Sequence, residues 1–406
     1  MDRVILHCDC NSYFASVECI DKPELRKVPM AVCGDPESRH GIILAKNELA
    51  KKYGVSTAET IWQAKRKCPD LVLVPPQGEK YEEYCRRINE IYAQYTDQVE
   101  VSSIDESYLD VTGSRQLFGT GQKIADTLRQ RVWRELQLTI SVGVSYNKLF
   151  AKMGSDYKKP NATTVITREN YKSLLYPLPV ESMMYVGKAA AQVLRKHFIT
   201  TIGELAGTPV DQLKKLLGAS GEALWYQANG LDNSPVLRPG EGEPVKSVGN
   251  GMTFCRNLVG LEDVKAGLLM LCESVGTRLR RHKLMARSVA LHIKDTELKT
   301  ISRQTQLNGA IQSTRELYEA ALPLLCRSWD LNAPIRTLTV TAANLCNPGE
   351  GGCQVSLFPE DAIRQEKQAK LEAAIDRVRG RFGNASVSTG TVLSSDILQR
   401  QDKDML

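Results

Sequence analysis

Val99-Glu100-Val101-Ser102 and Tyr108-Leu109-Asp110-Val111 each alternate apolar and polar residues, and two adjacent acids, Asp105 and Glu106, stand between them. Period-two alternation is the mark of a half-buried strand, so the segment reads as two short strands back to back, a hairpin with Asp105-Glu106 at its tip. Consecutive side chains of a straight strand point to opposite faces, whereas a turn can aim both carboxylates at one place. Paired carboxylates supply the hard oxygens that Mg²⁺ takes as ligands. Acids solvated at a turn are the plainer reading of the same residues. The choice depends on what the rest of the chain brings beside them.

With 406 residues, 42% of them hydrophobic, the chain is too long for one ordinary core and is expected to divide into three or four domains. The N-terminus runs directly into an apolar strand without a leader, and no apolar run is long enough to span a bilayer, so an intracellular, cytoplasmic protein is expected. The 11 cysteines include no CxxC pair and read as reduced structural thiols. A formal charge of +6 permits a polyanionic partner without requiring one.

Residues 4 to 8 read as a strand that places Asp9 at its carboxyl end, with a helix opening behind it and Asn11 or Ser12 as N-cap. Tyr13-Phe14, one turn on, is core filling or part of a site. Amphipathic helices are expected over 76 to 98 and 121 to 137, and strands over 99 to 112, 139 to 145 and about 163 to 167. That composes an α+β domain with helices on one face of a mixed sheet, in ferredoxin-like order.

Taken together, Asp9-Cys10-Asn11-Ser12-Tyr13-Phe14, Ser103-Ile104-Asp105-Glu106-Ser107, Asn47-Glu48-Leu49-Ala50-Lys51, Lys148-Leu149-Phe150-Ala151-Lys152 and Lys158-Lys159-Pro160-Asn161 resemble, in order and spacing, the Y-family of translesion DNA polymerases. The likeness is to its DNA polymerase IV (DinB) branch, with some UmuC-like features, and extends to about residue 345. It implies a right-hand polymerase: a ferredoxin-like palm (1–18 and 76–167), small fingers (19–75), a helix-hairpin-helix thumb (168–233), a linker (234–244), an αβ little finger (245–345) and a tail (346–406). It further implies low-fidelity, template-directed synthesis from dNTPs. Asp9, Asp105, Glu106 and the carbonyl of Cys10 would hold two Mg²⁺ ions. The alternative is a catalytically inactive, clamp-tethered accessory factor of the same fold.

By the same resemblance Phe14 is the steric gate beneath the sugar, with Tyr13 beside it. Lys159 meets the triphosphate, and Leu44 and Ala45 roof the nascent pair. The chain departs from its relatives at Glu48 and Lys51, where Tyr and Arg are usual, and Lys51, with Asn47 or Lys46, is expected to take over the triphosphate contact as a point charge without the bidentate fork. Lys148 and Lys152 share a helical face and meet phosphate or solvent.

In the thumb, Gly187 and Lys188 are expected to hold a DNA phosphate, although Tyr185 stands where the hairpin usually has its first Gly. Eight basic residues against two acidic ones lie between Arg278 and Arg303, a charge surplus equal to that of the whole chain. Lys246, Arg280, Arg281 and Arg303 are therefore expected on DNA, next to a polar sheet face bearing Ser288, His292 and Lys294. Gln354, Leu357 and Phe358 of Gln354-Val355-Ser356-Leu357-Phe358 resemble the peptide that binds the bacterial sliding clamp. A helix over 361 to 382 with Leu371, Ala374, Ile375 and Val378 on one stripe is expected to pack back or stay mobile, and the last twenty residues are expected to be disordered. The protein is expected to act as a monomer.

Overall fold

Strand β1 (Ile5–Cys10) is buried along its whole length because both of its faces are covered. In the computed structural model, which describes residues 2–35, 41–350, 359–383, 386–393 and 395–397, the chain divides into two units, Met1–Gly242 and Glu243–Leu406. The division falls within the Pro- and Gly-rich stretch read as a linker.

After β1 come α1 (Tyr13–Asp21), β2 (Met30–Cys33), β3 (Ile43–Lys46), α2 (Glu48–Lys52), α3 (Ile61–Lys67), β4 (Val72–Val74) and α4 (Gly78–Tyr92). The hairpin strands β5 (Val99–Val101) and β6 (Glu106–Asp110) follow, then α5 (Arg115–Phe118), α6 (Gly121–Leu136), β7 (Ile140–Ser145), α7 (Lys148–Tyr157) and β8 (Thr163–Val165). The central sheet has the order β5-β6-β1-β7-β8, antiparallel except for β7 with β8. Its first four strands reproduce the ferredoxin-like order.

One face of this sheet presents Leu6, Cys8, Leu109, Val142 and Val144 to Ile88 and Ile91 of α4 and Ile124, Leu128 and Val132 of α6. Each such apolar side chain removed from water contributes about 1.5–3 kcal/mol. Register puts Asp9, His7, Glu106, Tyr108, Ser141 and Gly143 on the other face. Helices were expected on one face only; α7 covers the second, packing on β1 and β7. Gly143 makes that possible, since a Cβ there would lie 1.8 Å from the carbonyl oxygen of Ala151.

The small sheet β3-β2-β4 carries its own core of Ala31, Cys33, Ile43, Ala50 and Ala64. Beyond the central sheet, α8 (Tyr171–Leu175), α9 (Lys188–Lys196), α10 (Ile202–Gly207), α11 (Val210–Leu217) and α12 (Ala219–Ala228) pack around Leu194, Leu205, Leu213 and Leu224.

The second unit runs β9 (Ser247–Leu258), α13 (Gly260–Arg281), β10 (Met285–Lys294), β11 (Thr300–Ile311), α14 (Thr314–Ser328), β12 (Ile335–Cys346) and α15 (Pro359–Phe382), with sheet order β11-β10-β12-β9. The tail packs back, although not through the expected stripe: Leu371 and Val378 are exposed. Instead the polar side of α15 faces α13. Arg280 donates to Asp376 at 2.7 Å and to Glu372 at 2.9 Å, and Arg379 donates to Glu273 at 3.0 Å. Glu372, only 4% exposed, also accepts from the amide of Thr314 at the start of α14. The expectation of a disordered end is corrected in part, because Val392 and Ile397 are buried in the core of this unit.

Removing one partner of a buried ion pair strands the other in low dielectric. Arg280→Met should therefore destabilise the second unit by about 3 kcal/mol and open the amides of α15 to hydrogen exchange. Unchanged protection across 359–382 would show that something else holds the helix.

Candidate active site

Asp9 and Glu106 are cross-strand partners in the β1–β6 register, so their carboxylates leave the same face of the sheet side by side. Like charges directly opposite each other are destabilising unless a cation lies between them. Here α7 supplies one: the Lys152 ammonium is 3.3 Å from Asp9 Oδ2 and 2.5 Å from Glu106 Oε1. A second ammonium, Lys159, donates to Asp9 Oδ2 at 2.7 Å and pairs with Asp156 at 2.8 Å. On the far side of Glu106, His7 Nε2 stands 3.6 Å from Oε2, while His7 Nδ1 lies 2.8 Å from Ser155 Oγ.

Environment separates the two carboxyls. Asp9 is 4% exposed, and burial pushes its carboxyl up to about 6 against the pull of Lys159 and Lys152. The His7 imidazole beside it, then Lys152, hold Glu106 well below the usual carboxylate range despite partial burial. Burial lowers the pKa of His7, which favours its neutral form.

Asp105 closes the turn before β6. Its backbone oxygen accepts from the Cys10 amide at 3.0 Å, fastening the hairpin to β1, while its carboxylate accepts from Ser103 Oγ at 2.7 Å. Glu106 is the first residue of β6 and not at the tip as read from sequence. Among the described residues no three His, Cys, Asp or Glu side chains stand close enough together to hold a metal. The donors nevertheless suit a hard cation: carboxylates from Asp9 and Glu106 converge on a positive charge, and Asp105 is the next residue along the same turn. The sequence placed Lys152 on phosphate or in solvent; the structure places it between the two acids.

Phe14 lies flat on Tyr81, ring centroids 4.1 Å apart and 10° from parallel, and packs near Leu44 and Ala45 of β3. The Tyr81 hydroxyl donates to buried Glu18 at 2.6 Å, which fixes the platform under Phe14. The amphipathic pattern over 76 to 98 marks a helix but gives no signal for this pairing of Tyr81 with Glu18. Of the two readings of Tyr13, the structure favours core filling: it is buried, and its hydroxyl donates to the carbonyl of Tyr81 at 2.6 Å.

Asn47 is also corrected. As N-cap of α2 its Oδ1 accepts from the amides of Ala50 (2.9 Å) and Met30 (3.2 Å), and its Nδ2 donates to the carbonyl of Val28 at 2.8 Å, so the side chain is committed to the fold. Lys46 donates to Thr57 at 2.9 Å. Lys51, 56% exposed, is 3.8 Å from Glu48, and Glu48 in turn accepts from Ser12 Oγ at 3.4 Å. Lys148, read alongside Lys152, bonds Glu100 at 2.6 Å.

Gly187 is the N-cap of α9, and Lys188 its exposed first residue. In the second unit, register aligns His292 with Ser302 and Thr339, and Lys294 with Thr300 and Thr337, giving a polar sheet face. Ser288 lies in this row but is buried, accepting from Gln304 and Asn344 at 3.1 Å. Arg303 pairs with Leu291 and so starts from the opposite, helix-covered face. Arg280, expected on DNA, is instead engaged by α15. Lys246, paired with Glu243, and Arg281 are exposed. Gln354, Leu357 and Phe358 lie outside the described residues.

A carboxylate pair on a ferredoxin-like sheet, with an aromatic platform one turn away and a lysine reaching in from the α7–β8 loop, defines the class of nucleotidyl-transferring right-hand polymerases. Residues 8–156 match the impB/mucB/samB family, and residues 245–357 match the impB/mucB/samB family C-terminal domain. DNA polymerase IV of Acetivibrio thermocellus is 47% identical over 400 residues, covering 98% of this chain and 100% of that protein. DNA polymerase IV 2 of Bacillus subtilis strain 168 is 36% identical over 402 residues, covering 97% and 95%. A solved Y-family DNA polymerase chimera of Dbh and Dpo4 superposes with a TM-score of 0.75 at 25% identity, over 85% of this chain and 99% of that one. The chain belongs to the impB/mucB/samB family of Y-family DNA polymerases. Divalent-metal dependence, primer–template DNA and dNTPs come with that membership. No helix among the described residues is long and apolar enough to cross a membrane.

Proposed function

We infer that the protein is a template-directed DNA polymerase of low fidelity that performs translesion synthesis by nucleotidyl transfer from dNTPs to a primer 3′-OH. The observation that carries this is the Asp9–Glu106 cross-strand pair with Asp105 adjoining it on the hairpin. Asp9, Asp105, Glu106 and the Cys10 carbonyl would hold two Mg²⁺ ions. Bound there, the ions supply positive charge for the attacking hydroxyl and the leaving pyrophosphate. Lys159 reaches the same carboxylate from the triphosphate side and offsets charge on the leaving group. Lys51, exposed near the end of α2, is the fingers' cation for the triphosphate, with Lys46 of β3 as its companion.

Phe14, held by Tyr81, supports the sugar edge. Phe14→Ala should raise ribonucleotide incorporation by about tenfold or more, on the scale of about 1.4 kcal/mol of lost discrimination. Equal rNTP and dNTP ratios before and after substitution would remove Phe14 from that role.

The assigned regions are palm 1–18 and 76–167, fingers 19–75, thumb 168–233, linker 234–244, little finger 245–345 and tail 346–406. DNA contacts fall to Gly187 and Lys188, and, in the second unit, to Lys246, Arg281 and Arg303. Gln354, Leu357 and Phe358 are proposed to bind the bacterial sliding clamp, with the polymerase itself a monomer. Chromosomal DNA and dNTPs as substrates support a cytoplasmic location.

The test is extension of a labelled primer on undamaged and lesion-bearing templates, with Mg²⁺ and with EDTA. Metal-dependent, template-matched extension past the lesion is expected. Binding to DNA without any extension would instead support the accessory-factor alternative.

A further inference from the structure

From Asp156 through Asn161, the end of α7 and the loop behind it, every residue is exposed, yet this stretch carries Lys159. An ammonium on a long flexible stem is placed only as well as the main chain beneath it, because the stem alone has about 2 kcal/mol of rotamer entropy to lose. Lys159 nevertheless reaches Asp9 Oδ2 at 2.7 Å. The loop must therefore be held from elsewhere.

The hold is on Asn161, two residues on and at most about 7 Å along the chain from Lys159. Asn161 turns the main chain through the left-handed region at φ 52°, which Asn enters more readily than most residues with a Cβ. Its amide donates at 3.2 Å to Oδ1 of Asn11, just beyond β1, and the same Oδ1 accepts from Ser141 Oγ at 2.8 Å. Its carbonyl and its side-chain oxygen both accept from Arg129 of α6. Arg129 Nη2 donates to the carbonyl, and Nη2 and Nε donate to Oδ1 at 3.0 and 3.2 Å. The guanidinium is itself fixed: Nη1 stands 3.3 Å from both Asp126 Oδ1 and Thr163 Oγ1, and Thr163 Oγ1 donates to Asp126 at 2.7 Å.

Helix α6 covers the face of the central sheet opposite Asp9 and Glu106, so Arg129 meets the site through Asn161. An exposed ion pair with Asp126 would by itself contribute little. A planar fork of five N–H donors, matched to the carbonyl and side chain of one loop residue, instead fixes a direction. We propose that Arg129 is a positioning residue for nucleotidyl transfer, holding the α7–β8 loop through Asn161 so that Lys159 stands at the triphosphate. The proposal rests on the polymerase assignment and on the place of Lys159 in it. Charge developing on a leaving group is stabilised by a cation already in place, and a cation set about 1 Å astray can cost on the order of 10²-fold in rate.

The test is single-nucleotide incorporation by the full-length protein at saturating dNTP and Mg²⁺, in wild type, Arg129→Met, Lys159→Ala and the double variant. Arg129→Met keeps an apolar stem on α6 and removes every donor. Its rate should fall by about tenfold to hundredfold, with a melting temperature within a few degrees of wild type. In the Lys159→Ala background the same change should lower the rate by less than about twofold, since the loop then has no lysine to position. Arg129→Lys, which lacks the fork, should fall between wild type and Arg129→Met, and the cycle is read on it if Arg129→Met does not fold. Equal losses in the two backgrounds would make Arg129 merely structural and overturn the proposal, as would a wild-type rate in Arg129→Met. A wild-type rate in Lys159→Ala would overturn it too, by removing that lysine from the leaving group. Wild-type protein that extends no primer would instead remove the polymerase assignment.

Discussion

In Asp9→Asn, single-nucleotide incorporation should fall by at least about 10³-fold, a loss of roughly 4 kcal/mol of transition-state stabilisation. Asparagine keeps the size and planarity of the side chain, so the close packing of β1 under α7 is undisturbed. What disappears is the anion. Lys159 and Lys152, 2.7 and 3.3 Å from Asp9 Oδ2, lose the charge they share there and keep Asp156 and Glu106 as their ionic partners. The folded state does not depend on that charge, since burial already raises the Asp9 carboxyl to about 6. The melting temperature should therefore stay within a few degrees of wild type while the rate collapses. Incorporation within tenfold of wild type would show that the metal cage is built elsewhere.

Much of this site was legible because it follows from period and spacing. Alternation on either side of Asp105-Glu106 fixes a hairpin, and the apolar strand before Asp9 fixes a neighbour for it; once the two pair, Asp9 opposite Glu106 is a matter of register. What escaped is set by rotamer and third dimension. Lys152 and Lys148 look alike on a helical wheel, yet one ends on Asp9 and Glu106 and the other on Glu100, because only the tertiary placement of α7 distinguishes them. Asn47 carries the side chain of a phosphate donor and of an N-cap alike, and the turn into α2 consumes it. Arg280 counts as positive in any local charge tally, but Glu372 and Asp376, more than ninety residues away, cancel it.

The same dependence on α7 makes Gly143 the residue whose change reaches farthest. It lies on β7 opposite His7, on the catalytic face, and its Cα is the surface on which the helix rests. A methyl group there would come within 1.8 Å of the Ala151 carbonyl oxygen, 2.5 Å of the Ser155 amide and 2.8 Å of the Gly154 carbonyl carbon. All three are main-chain atoms of one helix, so no side chain can turn aside, and the helix must lift as a body. Gly143→Ala should cost roughly 3–5 kcal/mol, at or beyond the upper end of overpacking effects. Lifting α7 also withdraws Lys152 from between Asp9 and Glu106 and Ser155 from His7, so primer extension should fall together with stability. Gly113→Ala is the control, because its added Cβ meets nothing within 4 Å, and it should melt within about 0.5 kcal/mol of wild type. If chemical denaturation finds Gly143→Ala as stable as Gly113→Ala, close approach of α7 to the sheet is not what sets the catalytic face, and Lys152 owes its position to its own ion pairs alone.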